Sequence, residues 1–148
     1  MVETSGYAEH DAFENILQYI DWLYIDLKHC IGDRHLSVTG CGNKLIFDNL
    51  LFASQYLKEK RKILVIRQVV VPGINDGKWI PDMIDLICKL PYVTALEFLP
   101  YHNLGMDKYE ALGREYNLKN ISPPDTEVIN TYKEIAEAKG LKCSISEL

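Results

Sequence analysis

The run Ile63-Leu64-Val65-Ile66-Arg67-Gln68-Val69-Val70-Val71 narrows most what this chain can fold into. It is rich in β-branched residues, is interrupted by only two polar side chains, and is closed by Pro72-Gly73, so it reads as a buried strand. Trp22 to Leu27, Thr94 to Leu99 and Leu141 to Ile145 read the same way. Helical spacing fills the intervals. Ala12, Phe13, Ile16, Leu17 and Ile20 share a face over Glu9 to Ile20. Ile46, Phe47, Leu50, Leu51 and Leu57 do so over Lys44 to Leu57, where Asn43 is the expected N-cap. Ile80, Met83, Ile84 and Ile87 mark a helix over Ile80 to Leu90. Pro124-Asp125 opens another, which turns Val128, Ile129, Tyr132, Ile135 and Ala136 inward and which Gly140 ends. Strands separated by helices of this length need crossover connections, which implies a parallel sheet covered by helices. The expected fold class is α/β in a single domain, because 148 residues suffice to bury roughly 70% of the unfolded chain's surface.

Composition removes several functions. Sixteen basic and twenty-one acidic side chains give a net charge of −5, and the longest basic cluster is Lys58-Glu59-Lys60-Arg61-Lys62, so a nucleic-acid partner is not expected. No apolar run approaches the roughly 20 residues of a membrane span, and Met1 to Gly6 lacks the character of a signal peptide; the reading is cytoplasmic. Cys30, Cys41, Cys88 and Cys143 are spaced too widely for a C-x-x-C metal knuckle and are expected as free thiols.

Polar residues on the strands mark the candidate site. Alternation puts Tyr24, Asp26 and Lys28 on one face and Leu23, Ile25 and Leu27 on the other. A carboxylate and an ammonium at the carboxyl end of an apolar strand stand where parallel folds collect ligand-binding groups, and they suit a zwitterion; a simple ion pair is the alternative. Arg67 needs an anionic partner, with Glu97 of the next strand and a ligand carboxylate both open. His102, after Leu99-Pro100-Tyr101, stands where an imidazole can hydrogen-bond an anion or move a proton. His10, His29 and His35 have no metal-site spacing and are expected to be structural. The stretch from Pro100 to Ser122 is too long and polar for an ordinary connection and is the candidate substrate loop. Val2 to Gly6 resembles the end of a strand that starts outside this chain.

Together, Asp26-Leu27-Lys28, Ile66-Arg67-Gln68-Val69-Val70-Val71-Pro72-Gly73-Ile74-Asn75-Asp76 and Leu99-Pro100-Tyr101-His102-Asn103-Leu104-Gly105 with Lys108-Tyr109 resemble the pyruvate formate-lyase activating enzymes. These are radical S-adenosylmethionine (SAM) proteins that activate glycyl radical enzymes. The resemblance runs from about Glu3 to the last strand. It implies the C-terminal part of a partial (β/α)6 TIM-like barrel, in which a four-iron, four-sulfur cluster cleaves SAM to a 5′-deoxyadenosyl radical that takes hydrogen from a glycine of the partner enzyme. By the same resemblance Asp26 contacts the SAM amino group, Lys28 and His102 hold its carboxylate, and Arg67 lines the cavity. Glu3 and Thr4 stand where the family has Asp-Thr, beside the ribose and a monovalent-cation site shared with Asp26; the longer Glu3 puts that cation site in doubt. The implied partners are a pyruvate formate-lyase-like glycyl radical enzyme and a flavodoxin or ferredoxin-type reductant.

The family's C-x-x-x-C-x-x-C and Gly-Gly-Glu segments precede the first residue present here, and the four cysteines cannot replace three thiolates at that spacing. The chain alone is therefore expected to be inactive and to expose a barrel edge. Two other readings stand beside this one. A non-catalytic interaction module could keep the half barrel, and a conventional α/β enzyme could use Asp26, Lys28 and His102 in acid–base work on a small anion.

Overall fold

The computed structural model describes residues 1–146. Five parallel strands, β1 (Val2–Thr4), β2 (Trp22–Asp26), β3 (Ile63–Val70), β4 (Ala95–Pro100) and β5 (Cys143–Ile145), lie side by side in chain order. The helices between them are α1 (His10–Leu17), α2 (Gly32–Thr39), α3 (Lys44–Lys60), α4 (Trp79–Cys88), α5 (Met106–Ala111) and α6 (Thr126–Ala138). The expected α/β fold with a parallel sheet is present.

Register decides which side chains meet the helices. Thr4, Ile25, Ile66, Leu96 and Cys143 form one row across the sheet, and Asp26, Arg67, Glu97 and Ser144 form the next. Successive rows point to opposite faces. The apolar rows pack in one core with Phe13 and Leu17 of α1, Leu50 and Leu57 of α3, Ile80 and Ile84 of α4 and Ile129 of α6. Helices on one face of a sheet whose strands keep chain order make a section of barrel wall; a doubly wound sheet would carry them on both faces. The opposite face bears the charged row.

Several local expectations are corrected. Ala12 and Ile16 of α1 and Val128 of α6 are exposed, so the buried stripe on these helices is narrower than their apolar spacing suggests. Asn43 precedes α3 but caps nothing with its side chain. Its amide is drawn inward instead, donating to the carbonyls of His29 and Cys30 at 3.2 Å each. Helices α2 and α5 were not expected from periodicity. The only buried side chain of α2 is His35, whose ring bonds the Cys41 carbonyl at 2.8 Å, and α5 buries none, so neither carries an apolar stripe to read.

Asn43 belongs to a recurring device. Buried Asn49 of α3 donates to the carbonyls of Gly6 and Ala8, at 2.9 and 2.8 Å, in the loop after β1. Buried Asn75 donates to Lys28 O, just after β2, and to Val69 O near the end of β3, at 2.9 and 2.8 Å. Each amide satisfies two carbonyls where the strand ladders end and buried backbone would otherwise lack partners. The loops at the carboxyl ends of β1, β2 and β3 are thereby fixed from beneath. The turn that delivers Asn75 is shaped by Gly73, at a φ of 76° that favours glycine, with its N–H held by Asp76 Oδ1 at 2.8 Å.

Candidate functional site

Asp26 is the last residue of β2, and Lys28 follows two positions later on the same face. The Lys28 ammonium stands 2.9 Å from Asp26 Oδ2, with both side chains about one-third exposed. Asp26 Oδ1 is buried and has no hydrogen-bond partner among the described residues. A buried carboxylate oxygen without a donor is costly.

Arg67 lies next to Asp26 in the register but is held by other acids. Its Nη1 is 2.9 Å from Glu3 Oε2 and its Nε is 3.1 Å from Glu97 Oε2, while the guanidinium lies over the Tyr24 ring at 5.5 Å. The Nε–H is not aligned for a hydrogen bond, so that contact is an ion pair only. Pairing with Glu97, left open by the sequence, is therefore found. The clasp to Glu3 was not anticipated. It spans β1 to β3 across Tyr24, because strands two apart are separated by only about 10 Å and two long side chains cover that gap. Glu3, Arg67 and Glu97 together carry one net negative charge.

The donor set fits a monovalent cation poorly. Glu3 is committed to Arg67, and Thr4 lies in the row of Ile25 on the helix-covered side, where its Oγ1 accepts from Gly6 N at 3.1 Å. Asp26 is left alone of the three.

His102 follows β4, and its Nδ1 accepts from Leu104 N at 3.3 Å, which leaves Nε2 as the donor. Lys28 and His102 line one cleft of about 550 Å³ together with Val69, Tyr101, Tyr109 and Tyr116. A second cleft of about 550 Å³ also contains Lys28, Val69 and the three tyrosines, and extends past Asn75 to Val38 and Thr39 of α2. The segment from Pro100 to Ser122 thus supplies much of both walls. Its tyrosines are tied together: the hydroxyls of Tyr101 and Tyr116 lie 2.9 Å apart, Tyr101 also donates to Leu118 O at 3.1 Å, and Tyr109 meets Tyr116 edge-on at 4.9 Å. The hydrogen bond to Tyr101 pushes the Tyr116 phenol up to about 12. The Tyr116 phenol therefore stays neutral in the cleft wall.

The structure brings Asp26, Lys28 and His102 to one end of the sheet and places Arg67 and Glu3 on the same face. Thr4 points elsewhere. Sequence reasoning missed Tyr109 and Tyr116 as wall residues, since a tyrosine in a loop carries no spacing signal. The four cysteines are free. Burial raises the Cys30 thiol and pushes Cys143 up to about 11, which disfavours thiolate. Among the described residues no three His, Cys, Asp or Glu side chains stand together as a metal site, so an iron–sulfur cluster has no ligand set here. No helix among the described residues is long and apolar enough to cross a membrane.

Comparison with known proteins adds ancestry to this geometry. Over 130 residues the chain is 38% identical to the pyruvate formate-lyase-activating enzyme of Staphylococcus epidermidis, a match covering 86% of this chain and 49% of that protein. The chain is a partial-length homologue of the pyruvate formate-lyase-activating enzymes. The Staphylococcus aureus activating enzyme is 33% identical over 141 residues, covering 93% of this chain and 53% of its own length. The indoleacetate decarboxylase activating enzyme of Tractidigestivibacter scatoligenes is 33% identical over 133 residues, covering 90% and 41%. The chain thus spans about half the length of the curated activating enzymes it matches. No family model matches it.

Solved structures agree on the fold. A domain of the pyruvate-formate lyase-activating enzyme from Bacteroides vulgatus superposes over 99% of this chain and 80% of its own, with a TM-score of 0.76 at 24% identity. A radical SAM methyltransferase from Sphaerobacter thermophilus superposes over 98% of this chain and 39% of its own, with a TM-score of 0.73 at 17% identity. The half barrel is shared with radical SAM enzymes.

Proposed function

We propose that this chain forms the SAM-binding C-terminal portion of a glycyl-radical-enzyme activating enzyme. The observation that carries the reading is the Asp26–Lys28 pair at the carboxyl end of β2, with Lys28 opening into the cleft that His102 also lines. The half-buried Asp26 carboxylate would take the amino group of SAM, and Lys28 and His102 would take its carboxylate. Opposite charges set two residues apart complement a zwitterion, and charge-assisted bonds are the strong ones. Glu3 and Arg67 would line the same face as a fixed pair, with Thr4 holding the turn behind β1.

SAM bound beside a reduced four-iron, four-sulfur cluster supplies a radical able to abstract hydrogen from a glycine. Among the described residues no ligand set for the cluster is found, and the part that Asp26, Lys28 and His102 would play is to bind and orient SAM. The tyrosine-walled loop from Pro100 to Ser122 would receive the glycine-bearing segment of a pyruvate formate-lyase-like partner. A flavodoxin or ferredoxin-type protein would be the reductant.

Calorimetric titration of the chain with SAM tests this. Lys28→Ala and His102→Ala should each weaken binding by roughly 1.5 to 3 kcal/mol, the worth of a charge-assisted hydrogen bond. Unchanged affinity in both variants would remove the assignment. A non-catalytic interaction module is the second reading, favoured by β1, which among the described residues pairs only with β2 and leaves its other edge open. Concentration-dependent self-association of a chain that does not bind SAM would select it.

A further inference from the structure

Lys28 lies beyond the last residue of β2, where the sheet no longer holds it. The final β2–β3 rung is Leu27 N to Arg67 O, at 2.9 Å. From there the strands diverge, and the carbonyls of Lys28 and Val69 have no strand partner to meet. The Asn75 amide occupies that gap: its Nδ2 donates to both carbonyls, and its Oδ1 accepts from Val71 N at 2.8 Å. Gln68 Nε2 donates to the Asn75 carbonyl at 3.3 Å, which fixes the turn in its place. Asn75 is only 4% exposed. Both residues whose carbonyls it grips, Lys28 and Val69, line both clefts.

We propose that Asn75 is a positioning residue for Lys28. It clamps the Lys28 backbone just where the ladder ends, so that the ammonium is presented to Asp26 and to the cleft from one fixed point. Without the amide, the Lys28 carbonyl loses its tie to the turn after β3, and the ammonium is spread over several positions. Asn75→Asp is the informative isostere: it can keep the Val71 contact but sets an acceptor oxygen against two carbonyls. The inference rests on the reading of Lys28 as a ligand for the SAM carboxylate, and its first test does not require that reading.

The first measurement is nitrogen-15 NMR of the lysine ammonium groups in the ligand-free chain, with the Lys28 signal assigned by its loss in Lys28→Arg. Asn75→Ser and Asn75→Asp should shift and narrow that signal towards a freely solvated lysine. Asn49→Ser, which also loses two buried amide bonds but in the loop after β1, should leave it in place. A Lys28 signal unchanged in whichever Asn75 variant folds, or moved equally by Asn49→Ser, would overturn the proposal. The second measurement is a double-mutant cycle on SAM affinity. Asn75→Ser should weaken binding about tenfold in the wild-type background and not further in Lys28→Met. Equal losses in the two backgrounds would also overturn it. If the wild-type chain takes up no SAM, the reading of the site fails, and the ammonium spectrum still decides the role of Asn75.

Discussion

Arg67 shows how a single side chain can organise a charged face. It neutralises Glu3 on one side and Glu97 on the other, at 2.9 and 3.1 Å, with Tyr24 beneath it. Arg67→Met would leave the Glu3 and Glu97 carboxylates, on β1 and β4, without their shared cation. We expect a loss of about 1.5 kcal/mol by urea unfolding, the low end for charged hydrogen bonds because Glu3 is 56% exposed and water screens it. Adding Glu97→Gln should recover part of that loss. The need of Arg67 for an acid was legible in the sequence, since a guanidinium within an apolar run must be paired. Glu3 was not, because its reach to Arg67 depends on β1 lying beside β2 and on two side chains meeting over the strand between them. Asp26 and Lys28 were legible for the simplest of reasons: they alternate on one strand, and alternation is a property of the chain alone.

Asn43 and Asp125 show why the elements were readable while their ends were only partly so. Both stand directly before a helix, and both are residue types that cap. Asp125 does so, with Oδ1 accepting from Glu127 N at 3.1 Å at an exposed helix start. Asn43 is buried, and its amide serves the loop after β2 instead. Asp125→Ala should therefore cost about 1 kcal/mol, the usual worth of a cap. Asn43→Ala should cost about 2 to 3 kcal/mol, because it strands two buried carbonyls. Matched thermal melts of the two variants separate these outcomes, and a larger loss at Asp125 would contradict the assignment. Local sequence offers a cap residue but does not say whether a carbonyl from elsewhere competes for it. Helix α2 fails in a related way: with His35 as its only buried side chain, it is held by what surrounds it.

Alternating strand and helix periods dictated the parallel α/β arrangement of the whole molecule, and the packing of α1, α3, α4 and α6 on one face made it barrel wall. Its stability should depend on pH through a buried group that directly follows Lys28. His29 is buried, its Nδ1 accepts from Ile31 N at 3.0 Å, and burial, with Arg34 and His35 nearby, lowers its pKa from 6.5. The unfolded chain takes up this proton before the folded one does, so the contribution is complete above pH 6.5 and is lost as pH falls through the lowered value. Unfolding free energy should drop as pH falls below 6.5, before most carboxylates titrate, and the drop should shrink in His29→Gln. A curve unchanged by that substitution would mean that another group is responsible. The asparagines beneath the rim contrast with this. Asn43, Asn49 and Asn75 hold the loops after three successive strands through neutral amides, whose bonds neither titrate nor weaken appreciably with salt. The frame around the clefts therefore keeps its shape while the charges it displays respond to their surroundings, so acidity and ionic strength can tune what the site attracts without redrawing where its groups stand.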